Sequence, residues 1–359
     1  MPADAFSMKD PVEARADTDE DLYDVADWEP RTALDRLAIR TYQGAIRASR
    51  RLLVFLGFVV LFVIIALSGA GGLILEDPFV LGLAALSVVP AALLAAYIYR
   101  ADITTREPLS LLLATFILAV LFAGFAAIIN TAFIFLQLLP FFGLVLFFYL
   151  VVGPVEESVK LLAVWLYPYR DARFDSVVDG AVYGAVAGLG FAAIENVLYI
   201  TQNLQTPAMV LATASANLLA DFTETLAAGG EITAIRGLAG PGHVIYSAFA
   251  GYYLGLAKFN RENAGPIVAK GLLIAAFIHA TYNTLVGIIP GVASLLVPGV
   301  PVLVLFFGFV VIYQGLFLYL LYRKLKRYEG AYRRGHDGQH RAVAFESELT
   351  EFDPDSGQK

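Results

Sequence analysis

Long apolar runs joined by short polar stretches set the reading of this chain. Continuous apolar segments occupy residues 52–75, 79–99, 109–138, 141–168, 177–200, 241–259, 266–289 and 299–322. Each is close to the roughly 20 residues that a helix needs to cross the core of a bilayer. The runs show none of the alternation of a membrane barrel, so helices are expected to do the spanning. The pattern predicts an all-α polytopic membrane bundle of about eight transmembrane helices. Within 109–168, Asn130, Pro140 and Pro154 divide the chain into either two long helices or two spans and a re-entrant piece.

The charges sharpen this picture by where they fall. Residues 1–51 carry 11 acidic and 8 basic side chains and residues 323–359 carry 7 and 8, which leaves 23 charges across residues 52–322. A soluble domain would need a polar skin supplied along its whole length. Six arginines between Arg31 and Arg51 suit the cytoplasmic side of the first span. With eight crossings, Arg100, Arg106, Arg170, Arg173, Lys258, Arg261, Lys270 and Arg323 to Arg327 share that side, and Arg236 alone lies in an outer loop. Both termini are therefore expected to be cytoplasmic, in a multi-pass protein of the plasma membrane.

The same arithmetic gives a domain plan. Residues 1–51 form a mixed-charge tail, disordered over 1–30; 52–99 form two N-terminal spans; 100–326 form a core; and 327–359 form a second cytoplasmic tail. The core holds one long outer segment, 201–240, with an interfacial helix expected at 207–228 that carries Asp221 and Glu224. No basic stripe suits nucleic acid. The chain has no cysteine. Any metal must then be held by His, Asp or Glu.

Ionisable groups inside the apolar runs are few and informative, because a charge at mid-bilayer costs about 2.5–3.5 kcal/mol on insertion scales. Glu156, Glu157, Glu195, His243 and His279 stand out, with Lys160 beside the first pair. Counted from the nearest inner-side charge, the helices place these groups at depths of roughly 14 to 24 Å, within one layer of the membrane. Gly180, Gly184 and Gly188 form a small-residue ridge on the face of Glu195, and Ser247, Gly251 and Gly255 continue the face of His243. His279 and Asn283 also share a face. Glu156 and Lys160 are four apart, so the lysine is expected to neutralise one of the paired carboxylates and leave the other available.

Two imidazoles and two or three carboxylates without sulfur suit an oxygen and nitrogen metal site such as zinc. Such a site lowers the pKa of a water, and a free glutamate can take its proton for attack on a peptide carbonyl. The same groups would serve a proton- or ion-coupled transporter, whose relays also use buried Glu and His.

Ordered motifs separate these readings: Glu107-Pro108 after Asp102; Glu156-Glu157-Ser-Val-Lys160; Asp179-Gly180-x-x-Tyr183-Gly184 leading to Gly190-Phe191-Ala-x-x-Glu195-Asn196; His243 followed by Gly251-Tyr-Tyr-Leu-Gly255; and His279-x-x-x-Asn283. From about Tyr99 to Lys326 the chain resembles the PrsW family of intramembrane proteases, part of a wider group that includes the CAAX-processing and bacteriocin-immunity membrane proteases. The resemblance implies an endopeptidase that cuts a single-span or membrane-anchored protein within the lipid bilayer. It implies essential roles for Glu156, Glu157 and His243, with Glu195 and His279 completing the layer. On that basis Glu156 or Glu157 is expected as general base, Glu195, His243 and His279 as ligands to a divalent metal, zinc foremost, or as water-positioning groups, and Asn283 as a donor to the oxyanion. The wider group often has histidine where Glu195 stands, so a two-histidine scheme does not transfer directly, and a Glu–His pair activating water without metal stays open.

Other polar residues have structural readings. Lys160 reads as a counter-charge, Asp179 as a helix N-terminal cap, Glu107 as a helix-start feature, and Asn196 as a bond to a neighbouring helix.

Overall fold

The computed structural model describes residues 31–68, 78–104, 106–203 and 218–350. The tail 1–30 and residues 207–217 of the expected interfacial helix lie outside the described residues. Residues 1–55 and 56–359 form two compact units. In the first, the helix that begins at Ala33 carries five of the six arginines, and Arg36 Nη1 donates to the carbonyl of Arg31, just before the helix, at 2.9 Å.

All described elements are helical, in the order α1 (Ala33–Ser68), α2 (Pro78–Arg100), α3 (Leu109–Ala132), α4 (Gly143–Phe147), α5 (Gly153–Leu166), α6 (Val177–Asn203), α7 (Leu218–Lys258), α8 (Ala264–Leu296) and α9 (Val302–Thr350), with short 3-10 turns between some of them. Six helices among the described residues are long and apolar enough to cross a membrane. They correspond to six of the eight apolar runs. The other two behave differently. Run 241–259 is the second half of α7, whose 41 residues continue through Pro241. Residues 218–228, expected at the membrane surface, are the first turns of that helix, and Arg236 lies within it rather than in an outer loop. A proline in such a helix is tolerated when neighbours satisfy the loosened backbone, and Gln314 Nε2 of α9 donates to the carbonyl of Leu238 at 2.8 Å.

Run 141–168 is broken. A π-helical turn, Phe148–Val152, joins α4 to α5. Pro154, near the start of α5, explains the break, since its ring has no N–H and clashes with the carbonyl four residues back. The irregular turn starts a new helix one turn before Glu156 and Glu157, and so sets the direction in which both point.

The centre of the bundle is α6, whose most apolar window is 83% buried. Its partner is α7, and the glycines explain why. A Cβ at Gly180 would collide with the carbonyl oxygen of Gly251, one at Gly184 with that of Ser247, and one at Gly188 with that of His243. Only glycine lets the two backbones close to this distance. Helix α2 packs on the same pair, α3 packs on α6 and α5, and α5 and α8 close the remaining side.

Candidate active site

The close approach of α6 and α7 sets Glu195 beside His243. Glu195 Oε2 lies 2.9 Å from His243 Nε2 and accepts from Arg236 Nη2 at 2.6 Å. Arg236 also donates from Nε to Asn196 Oδ1 at 3.0 Å, so its fork clamps two successive residues of α6. The guanidinium is braced over the ring of Tyr199, 4.2 Å from its centroid. Asn196 in turn donates to the carbonyl and hydroxyl oxygens of Ser87 on α2, the interhelical bond expected of it.

Helix α5 supplies the paired glutamates, and their environments differ. Glu157 and Lys160 are fully buried, with Lys160 Nζ 2.6 Å from Glu157 Oε1. The lysine thus neutralises Glu157, three residues away, and leaves Glu156 as the available member. Glu157 Oε1 also lies 2.8 Å from His279 Nδ1, and its Oε2 accepts from Ser247 Oγ at 3.3 Å. Lys160 reaches His243 Nδ1 at 3.0 Å as well. A lysine ammonium can only donate, so Nδ1 of His243 accepts and Nε2 carries the proton toward Glu195.

His279 has the opposite arrangement. Its Nδ1 faces a carboxylate that already accepts from Lys160, so Nδ1 carries the proton and Nε2 presents a lone pair. That lone pair looks toward Glu156 Oε2, 3.7 Å away. Glu156 Oε1 accepts from Asn130 Nδ2 at 3.0 Å, whereas Oε2 is buried with no hydrogen-bond partner. Two acceptors therefore face one gap with no donor between them. The imidazoles of His243 and His279 meet edge to face with centroids 5.1 Å apart.

These groups form the wall of a cavity of about 690 Å³. Glu156, Glu195, His243, His279 and Asn283 all line it; Glu157 and Lys160 do not and stand behind the wall. Glu156, His243 and His279 each offer a ligand atom within 4.8 Å of the others. This trio contains Glu156 where the sequence suggested Glu195, because Arg236 and His243 hold the latter's Oε2.

The donor set fits a metal. A carboxylate and imidazole nitrogens are the zinc-type ligands available without cysteine, and an orphaned buried carboxylate oxygen opposite a histidine lone pair is what such an ion would satisfy. Glu157 behind His279 supplies the carboxylate that usually orients a ligating imidazole. His243 joins the set only by giving up its Nε2 proton.

Three participants were not singled out for the site from sequence. Asn130 was read only as a break, Arg236 as a loop cation, and Ser247 as a small residue. Arg236 lies seven residues before His243 on one helix, a spacing that places both on one face and offered the signal.

Two comparisons relate the chain to known proteins. The family described as PrsW family intramembrane metalloprotease matches residues 107–313. Among curated proteins, the chain is 29% identical over 203 residues to Protease PrsW of Geobacillus kaustophilus, covering 55% of this chain and 76% of that one. It is 26% identical to Protease PrsW of Shouchella clausii over 55% of this chain and 80% of the relative, and 26% identical to that of Bacillus subtilis over 55% and 78%. No solved structure matches the chain. A helical membrane bundle lined by buried acids and imidazoles is the class that the fold and site define. The chain belongs to the PrsW family of intramembrane metalloproteases; it is a membrane protein and a protease.

Proposed function

We propose that the chain is an endopeptidase that hydrolyses a peptide bond of a membrane-anchored protein held in the cavity, with Glu156 and His279, joined by His243, holding zinc. The observation that carries this reading is the pair of facing lone pairs, Glu156 Oε2 and His279 Nε2, 3.7 Å apart on the cavity wall. Zinc bound there would polarise the scissile carbonyl and lower the pKa of the attacking water.

The chain's own residues divide the remaining work. Glu157 keeps the proton of His279 on Nδ1 and never meets substrate; Lys160 balances its charge. Glu195 has one oxygen fixed by Arg236, which keeps hold of it when His243 turns its Nε2 to the metal, and its other oxygen has no hydrogen bond among the described residues. We assign that oxygen as the acceptor of the water's proton, which it later returns to the leaving amine. Asn283 donates from its side-chain amide to the tetrahedral oxyanion. Phe147, Phe148, Phe191 and Phe306 in the lining favour an apolar, transmembrane stretch of substrate. The catalytic core is then the segment 100–326, in a plasma-membrane protein.

Liposomes containing the purified chain and a tagged single-span protein test the proposal. Wild-type cleavage, lowered about 10²–10⁴-fold in Glu195→Gln, is expected for loss of a general base. Proton flux dependent on the added protein, with no cleavage, would instead support coupled transport and overturn the assignment.

A further inference from the structure

A second polar cluster lies at the other end of α6. Asp179 is 16 residues before Glu195 on one helix, about 24 Å away at 1.5 Å per residue, so the cluster is separate from the cavity. Around it, carboxylate oxygens of Asp102, Glu107 and Asp179 lie within 4.8 Å of one another.

Each carboxylate is held by its own partners. Asp179 and Ser176 form a capping box at the start of α6: Asp179 N–H donates to Ser176 Oγ at 3.2 Å, and Ser176 N–H returns to Asp179 Oδ2 at 2.8 Å,. The N–H of Asp175 adds a bond to the same oxygen at 2.7 Å, and the Ser176 hydroxyl donates to Oδ1. Asp102 Oδ1 accepts from the N–H and hydroxyl of Thr104 at 2.8 and 2.7 Å. Glu107 Oε2 accepts from the Tyr183 hydroxyl.

What remains points to a ligand. Glu107 is only 3% exposed, and its Oε1 has no hydrogen-bond partner; nor has Asp102 Oδ2. None of the three acids is ion-paired with a lysine or arginine among the described residues. The nearby Lys258 ammonium donates instead to the carbonyls of Phe174 and Asp171, at 2.7 and 3.2 Å. Burial and neighbouring acids push the Glu107 carboxyl up to about 8. Two buried acids and a half-buried one, with two orphaned oxygens between them, are costly unless a cation joins them,.

We propose that Asp102, Glu107 and Asp179 form a binding site for a hard divalent cation of calcium size, which ties the α2–α3 loop to the start of α6. An all-carboxylate oxygen set selects hard cations over zinc. Coordination narrows the choice. Calcium takes six to eight oxygens in a flexible shell, which suits a cluster of unevenly held carboxylates, whereas magnesium demands a near-ideal octahedron and keeps most of its waters. The competing occupant is a proton shared between Glu107 and Asp179.

Terbium, a calcium-sized ion whose emission is sensitised by nearby tyrosine, supplies the test, with Tyr183 bonded directly to Glu107 as antenna. Tyrosine-excited emission of the full chain in detergent should saturate near one ion per chain and be displaced by calcium at lower concentration than by magnesium. It should persist in Glu156→Gln/His279→Ala, which alters only the cavity. Asp102→Asn/Glu107→Gln should abolish it while the protein stays monodisperse. If that variant does not fold, Asp102→Asn, which leaves the Tyr183 contact intact, should weaken calcium competition about tenfold or more. A wild-type chain without saturable emission, displacement favouring magnesium, or emission unchanged in the folded variants would overturn the proposal.

Discussion

His279 Nε2 stands 3.7 Å from Glu156 Oε2, lone pair to lone pair, with Glu157 fixing the proton on the far side of the imidazole. This asymmetry gives the two glutamates of one motif different roles, and it distinguishes the two histidines as well. His279 presents a lone pair to the cavity, whereas His243 is held between Lys160 and Glu195 as a donor.

Metal analysis of detergent-purified protein should follow that ranking. The wild type is expected to hold about one zinc per chain in the cavity. His279→Ala and Glu156→Gln should lose it, and His243→Ala should retain a larger share than either. Full occupancy in His279→Ala would remove this imidazole from the metal set.

Breaking the buried pair should be costly in stability. Glu157→Gln leaves Lys160 without its counter-charge, at a cost of about 3–5 kcal/mol. The paired replacement Glu157→Leu/Lys160→Met should recover most of that loss in a thermal unfolding assay, yet leave proteolysis impaired because His279 has lost its orienting carboxylate. Restored activity in the apolar pair would show that Glu157 acts only through charge balance.

Arg236 should prove a positioning residue. Arg236→Ala frees Glu195 and Asn196 together, and kcat is expected to fall about 10–100-fold, the usual consequence of removing a supporting partner. Arg236→Lys keeps the charge but not the fork, so partial activity should return. Equal kcat in wild type and Arg236→Ala would discard the role.

The α6–α7 contact predicts a contrast between glycines. Gly184→Ala drives a Cβ into the Ser247 carbonyl and should cost at least about 1–3 kcal/mol as overpacking, with activity falling because Glu195 and His243 sit on the displaced helices. Gly287 has open space around it. Gly287→Ala should leave the melting temperature unchanged or slightly higher, and a comparable fall in both variants would contradict the interface.

Much of this was legible in the sequence because membrane insertion penalises what does not serve a purpose. The five ionisable groups in apolar runs converge on one site, and the glycine spacing of α6 reports a real interface. Asp179 caps its helix and Asn196 bonds its neighbour, as their positions suggested. Two matters were not legible. Pro154 was marked as a dividing point within 109–168, but hydropathy left two long helices and a re-entrant piece equally open, because it does not register the wide turn at Phe148–Val152. Hydropathy and charge bias also put Arg236 in a loop, because a cation that finds a half-buried carboxylate on another helix scores the same as one in water.

The wide turn at Phe148–Val152 has a consequence for any chain built on this plan. Each residue of an α-helix advances the side-chain direction by about 100°. Shortening that run by a single residue would keep the length and greasiness of the segment, but swing both acids that follow out toward lipid. Phase, rather than composition, is what this stretch must preserve.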